Sequence, residues 1–142
     1  MSVNIKELQQ GVDSLSKAID DTKPKSEFAY RNYCSKSYYT IYHQTKTFLN
    51  EKHNFDQVVE NGAYHNMGTH QIIMNFLQEH IHIPDRHHNR EYKKLVFRLK
   101  AMRQNRVDSD YDLDITVNYI TYEHSKKQYE YLLTFIESMS VS

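Results

Sequence analysis

Arg106 is the residue whose position in the chain points most directly to chemistry. On a helix with about 100° per residue, it falls on the same face as four apolar residues that precede it. Those residues are Tyr92, Leu95, Leu99 and Met102. Burying an unpaired guanidinium is costly, so a partner must lie nearby. Residues 107–114 contain four aspartates and Tyr111. This segment predicts either a structural clamp on Arg106 or a functional site.

A second candidate, His124, falls within the apolar stripe of the last predicted helix. The residues of this stripe are Val117, Ile120, Tyr131, Leu132, Phe135 and Met139. It is either a core imidazole with structural hydrogen bonds, or a group that faces Arg106 across the protein. In the second case it could transfer protons, because imidazole titrates near neutral pH. The structural interpretation is favoured, since the sequence shows no partner for His124.

Helices must position these side chains, because the sequence has long periodic segments and few helix breakers. The 142 residues include three Gly and two Pro, which favours an all-α protein with a single domain over residues 1–142. We expect an up-and-down bundle of about five helices. The first three cover residues 5–20, 27–52 and 65–79, and residues 53–62 form a loop. The last two begin after the N-caps Asp85 and Asp114 and end near Asp108 and Met139.

The second predicted helix contributes further candidate residues. Its apolar stripe comprises Cys34, Tyr38, Ile41, Thr45 and Phe48, with Leu49 beside it. Arg31 and Tyr38 are seven residues apart and share a helix face. The segment after Arg106 is short, so Asp110 and Tyr111 must stay close to it. We therefore expect Arg31, Tyr38, Arg106, Asp110 and Tyr111 to converge in one cleft.

Charge is balanced overall but unevenly distributed. The net charge is zero, while residues 86–106 carry eight Lys or Arg against one Glu, and an acidic segment follows. A basic helix of this kind indicates either a nucleic-acid surface or a solvated face that pairs with its acidic neighbour. The sequence favours neither alternative.

The histidines and the cysteine do not form a recognisable metal motif. The chain has nine His and one Cys, and no pair has the spacing of a zinc site. We therefore expect no metal and no cofactor, and we expect Cys34 to be a small core residue rather than a nucleophile. The first residues do not resemble a signal peptide, and no segment is apolar enough to span a membrane. These features predict a soluble cytoplasmic protein.

Three segments together resemble motifs of small prokaryotic HEPN-domain proteins. Residues 30–42 resemble the Arg-x6-Tyr-Tyr signature of that family. Residues 65–68, followed by Phe76, resemble its third-helix element. Residues 103–111 resemble an Arg-x3-Asp-Tyr element between the last two long helices. The resemblance covers residues 26–139, with the motifs in the family's order.

The resemblance implies a helical bundle that dimerises through the helices carrying these motifs. Many members are metal-independent ribonucleases that act as toxins or antiviral effectors beside a nucleotidyltransferase-type partner. Their active site has an Arg, four to six residues, and then a His. Here the positions after Arg106 are occupied by Tyr111, Asp112 and Leu113.

RNA cleavage without a metal requires a base for the 2′-hydroxyl, an acid for the leaving oxygen and a cation for the phosphorane. Arg106 is the candidate cation. Asp110, Tyr111 and His124 are the candidate proton-transfer groups, and Arg31, Tyr38 and Arg103 are candidate binding residues. Tyr111 would need a lowered pKa to act as a base, because phenols titrate near 10.

The sequence supports three functional hypotheses. The first is an endoribonuclease toxin or defence effector that forms a homodimer, acts on RNA and pairs with a nucleotidyltransferase-type antitoxin. The second is a non-catalytic module that binds a nucleotide or a protein, with Arg106 as a clamp. The third is a helical interaction protein without a ligand.

Overall fold

The computed structural model describes residues 4–21, 26–60, 68–79 and 86–140. Within these ranges every regular element is a helix, which confirms the all-α prediction. The helices are α1 (Ile5–Asp21), α2 (Glu27–His53), α3 (Phe55–Glu60), α4 (Thr69–Glu79), α5 (Arg86–Tyr111) and α6 (Tyr119–Ser140). None of the helices in the described ranges is both long enough and apolar enough to cross a membrane. The predicted N-cap Asp85 lies outside the described residues.

Helix α2 is the centre of the bundle and contacts α1, α3, α5 and α6. It begins as predicted, because the Ser26 side chain accepts a hydrogen bond from the Ala29 N–H. Its predicted apolar stripe, from Cys34 to Leu49, is buried. The four apolar residues that precede Arg106 on α5 are also buried. Helical periodicity therefore identified the faces of α2 and α5 that form the core.

The predicted loop over residues 53–62 is wrong for residues 55–60, which form α3. Asn54 ends α2 in the left-handed region, at φ 53° and ψ 45°, and its N–H donates to the Leu49 carbonyl. The Asp56 N–H donates to Asn50 Oδ1 at 2.7 Å, so the chain turns at once into the next helix. Residues 61 and 62 lie outside the described residues.

The start of the last helix was predicted too early. Asp114 is not an N-cap, because α6 begins at Tyr119 and Asn118 Oδ1 accepts from the Thr121 N–H at 3.1 Å. Ile120 is 75% exposed, and His124 is also exposed. The buried positions on α6 are Tyr122, Ser125, Tyr129, Leu132 and Ile136. Val117 is buried but precedes the helix. Because the prediction counted it as a helical residue, the predicted apolar face of α6 was misplaced.

Arg31 fixes the end of α5 against α2. One of its terminal nitrogens donates to the carbonyls of Asp108 and Ser109 at 3.0 and 2.9 Å, and to the Asp112 carbonyl at 3.2 Å. The other donates to the Ile115 carbonyl and to Glu27. The last carbonyls of a helix have no partner within the helix and carry partial negative charge. Arg31 therefore caps α5 from a neighbouring helix.

Glu27 extends this clamp to the segment between α5 and α6. Its Oε1 accepts from Arg31 at 3.1 Å and from the Val117 N–H at 2.9 Å. These bonds and the Arg31 guanidinium together lower the pKa of Glu27. One ion pair on α2 thus holds the connection that leads into α6.

We predict that Arg31→Ala destabilises the fold by about 3 kcal/mol, because it leaves several helix-end carbonyls without their charged donor. The Arg31 side chain is only 13% exposed, so water replaces it poorly. Urea unfolding measures the change. The control is Arg90→Ala, which removes an exposed cation from α5 and should cost less than about 0.5 kcal/mol. Equal stabilities for the two variants would contradict the role given to Arg31.

Candidate functional site

A cleft of about 300 Å³ lies where α2, α4 and α5 meet. Helix α2 supplies most of its wall, α4 supplies a histidine and α5 supplies an arginine. The lining residues are Ser35, Lys36, Tyr38, Tyr39, Tyr42, His70 and Arg106. The α2 residues follow helical spacing, which places them on one face. The cleft therefore combines a cation, an imidazole and phenols within a small volume.

Tyr38 and His70 form the polar centre of the cleft. The Tyr38 hydroxyl lies 2.8 Å from His70 Nδ1, and the two share a hydrogen bond. Tyr38 is buried, and this burial raises its pKa to about 12. The phenol is therefore protonated at neutral pH and can donate a hydrogen bond.

His70 is kept in its neutral form by its surroundings. Partial burial lowers its pKa, and the charges of Arg103 and Arg106 lower it further. A neutral imidazole has one nitrogen that can accept a proton. Among the described residues, none makes a hydrogen bond to Nε2, while Nδ1 is occupied by Tyr38. In the tautomer with its proton on Nδ1, the neutral His70 ring can therefore accept a proton at Nε2.

Sequence analysis did not single out His70, although a signal for it was present. His70 is three and seven residues before Ile73 and Leu77, which are both buried on α4. This spacing places the imidazole on the inward face of the helix. Metal-site motifs are defined by the spacing between ligands, so they give no sign of a single histidine that faces the core.

Arg106 lines the cleft and forms an ion pair with Asp110. Its Nε lies 3.0 Å from Asp110 Oδ2, one helical turn further along α5. Ser35 donates to the same carboxylate oxygen at 3.2 Å. The predicted acidic partner of Arg106 is thus present, but it lies on the helix, since α5 continues to Tyr111. Asp110 and Ser35 orient the guanidinium at the cleft wall.

The structure brings together only part of the predicted site. Tyr38, Arg106 and Asp110 meet at the cleft, whereas Arg31 is committed to the end of α5. His124 lies elsewhere and contacts Asn105 Nδ2 at 2.9 Å through its Nδ1. Tyr111 is the last residue of α5, and its side chain lies outside the described residues.

Arg103 lies just beyond the cleft, in the groove between α4 and α5. Its charge contributes to the lowered pKa of His70, so it remains part of the local electrostatics. Of the predicted binding residues, Tyr38 lines the cleft, Arg103 adjoins it and Arg31 does not reach it.

Aromatic rings form the outer rim of the cleft. Tyr39 is 47% exposed, and its ring centroid lies 4.3 Å from that of His43. Tyr42 contacts both His43 and His70, with centroids 5.2 and 4.8 Å apart. Exposed aromatic rings beside a cation are a surface on which nucleobases stack. The rim and the polar centre together suit a nucleotide better than a purely apolar ligand.

The described ranges contain no group of three or more His, Cys, Asp or Glu arranged to hold a metal ion. The histidines His65, His80 and His82 lie outside those ranges, as do the side chains of His87 and His88.

Comparisons of the chain with protein-family models, curated proteins and solved structures find no match.

We predict that the pKa of His70, measured by NMR titration of its ring protons, lies below the ordinary value for histidine. Arg103→Gln should raise this pKa, because the neutral side chain no longer repels the imidazolium. Since the folded state disfavours protonation of His70, its contribution to stability is lost as pH falls below the unfolded pKa. A His70 pKa that does not change in Arg103→Gln would contradict this electrostatic account.

Proposed function

We propose that this chain is a HEPN-like protein that binds RNA and cleaves it without a metal at the cleft of α2, α4 and α5. The observation that carries the proposal is the meeting of His70, Tyr38 and Arg106 in one cleft. They provide the base, acid and cation that the reaction requires. His70 takes the place that the sequence hypothesis gave to Asp110, Tyr111 or His124.

The Tyr38–His70 hydrogen bond allows a balanced proton transfer. In the tautomer with its proton on Nδ1, His70 donates to the Tyr38 oxygen and has a free lone pair on Nε2. Nε2 takes the proton of the RNA 2′-hydroxyl, and the 2′ oxygen attacks phosphorus as the bond to the 5′ oxygen breaks. Tyr38 donates its proton to that 5′ oxygen and receives the Nδ1 proton. The products are a 2′,3′-cyclic phosphate and a 5′-hydroxyl.

Arg106 lies at the wall of the same cleft and stabilises the charge that develops on the phosphorane. Lys36 is also in the lining and adds a second cation for the phosphate. Tyr39 at the rim stacks against a neighbouring base.

The proposal includes a homodimer in the cytosol, with a nucleotidyltransferase-type antitoxin as partner. The support for the homodimer is a set of exposed apolar side chains at the start of α2, in the segment between α5 and α6 and at the start of α6, which we call the apolar patch. The patch comprises Phe28, Leu113, Ile115, Tyr119 and Ile120, all of them exposed. Clusters of exposed apolar side chains mark protein interfaces. The patch provides a surface on which two copies could associate.

A second candidate function is a non-catalytic module that binds a nucleotide. The Arg106–Asp110 pair favours it, because a guanidinium already shared with a carboxylate offers less charge to a transition state. In that case the cleft binds its ligand and leaves it intact.

We predict that wild-type protein cleaves single-stranded RNA in the presence of EDTA. Arg106→Ala should lower the rate by about 10²–10³-fold. His70→Ala should lower it by about 10²–10⁴-fold. Gel analysis of an end-labelled RNA measures the rates, and circular dichroism melting checks that each variant is folded.

The matched control for this experiment is His124→Ala. It removes a histidine that was predicted to transfer protons but lies outside the cleft. It should cleave at the wild-type rate. Loss of activity in His124→Ala with full activity in His70→Ala would show that RNA cleavage does not occur at the cleft that contains His70. RNA binding by a wild-type protein that cleaves nothing would support the non-catalytic module instead.

We also predict that light scattering gives about twice the 17.1 kDa chain mass. Ile120→Asp should shift the protein to monomer, because it places a charge in the apolar patch. The control is Phe97→Asp, which alters an exposed aromatic residue on α5 outside the patch and should leave the dimer intact. A wild-type monomer at high concentration would contradict the dimer.

A further inference from the structure

A second depression, which we call the amide groove, lies between α4 and α5 and has a volume of about 450 Å³. Its polar lining consists of four carboxamides and two cations: Gln71, Asn75, Gln78, Gln104, Lys100 and Arg103. The α4 amides are spaced by four and three residues and so share one face of the helix. This concentration of carboxamides distinguishes the groove from the aromatic cleft.

The amide groove adjoins the cleft through consecutive residues on both helices. Gln71 lines the groove and follows His70, which lines the cleft. Val107 lines the groove and follows Arg106, which also lines the cleft. The two depressions therefore lie on neighbouring parts of α4 and α5, within reach of one short single-stranded polymer.

The groove has the chemistry of a nucleobase site. A carboxamide offers one donor and one acceptor side by side, which matches the N6 amino group and N7 of adenine. Gln104 donates from Nε2 to Asp108 Oδ1 at 2.8 Å, which fixes the orientation of its amide. Met74 and Val107 provide apolar surface for the face of a base. Lys100 and Arg103 can neutralise the flanking phosphates.

We propose that the amide groove binds an unpaired adenine nucleotide next to the phosphate held at the His70–Arg106 cleft. The chain then selects single-stranded RNA that has adenine beside the scissile bond. The placement of this base relative to cleavage rests on the function proposed above. Adenine binding itself needs only the groove.

Fluorescence anisotropy with 2′-O-methyl hexanucleotides tests base selection separately from cleavage, because these probes have no free 2′-hydroxyl to attack the phosphate. Wild-type protein should bind the adenine hexamer about 10-fold more tightly than the uridine hexamer. The double variant Gln71→Leu with Gln78→Leu should bind both equally. It changes exposed side chains only, so the fold should remain intact.

Two further variants separate base recognition from phosphate contact. Gln10→Leu alters an exposed glutamine on α1 and should keep the full preference for adenine. Lys100→Gln should weaken binding of both hexamers alike and reduce the salt dependence of binding by about one phosphate contact.

Equal wild-type affinity for the two hexamers, or no binding of either, would overturn the proposal, as would a preference that survives the double variant. An adenine preference lost in that variant, with no RNA cleavage by wild type, would support the groove and reject the ribonuclease. Cleavage without any adenine preference would reject the groove and support the ribonuclease.

Discussion

The bonds that Arg31 makes with the end of α5 are the constraint on which the rest of the structure depends. The Arg31 guanidinium on α2 donates hydrogen bonds to carbonyls at the end of α5 and in the segment that follows. Its partner Glu27 holds the start of the last connection at Val117. Because α2 also lines the cleft, the same clamp fixes the position of Arg106 on α5 relative to Tyr38 on α2.

The charges in the cleft affect both His70 and Arg106. Arg103 and Arg106 disfavour a protonated His70, while Asp110 and Ser35 hold Arg106 at the cleft wall. Arg31 on α2 thus holds the end of α5, while Arg106 on α5 lines the cleft. An arginine near an acidic segment was expected to be either a clamp or a site residue. Arg31 makes the clamp, and a site role for Arg106 stays a prediction.

Helical periodicity predicted the buried faces of α2 and α5, because their core residues recur over several turns. It could not predict α3, whose six residues are too short to show a period. It failed for His124 because Val117 and Ile120 were assigned to one face, although Val117 precedes the helix. The role of Arg31 was not visible either, since its partners are main-chain carbonyls 77 to 84 residues away. Every residue has a main-chain carbonyl, so the residue types in the sequence do not show which carbonyls Arg31 contacts.

We propose that the cleft of His70, Tyr38 and Arg106 is the ligand site of this protein. NMR titration with an uncleavable single-stranded oligonucleotide tests it most directly, through the ring signals of histidine and tyrosine. We expect saturable shifts for His70 and Tyr39, with no change at His124. Shifts at His124 with His70 unchanged, or no shift at any of them, would contradict it.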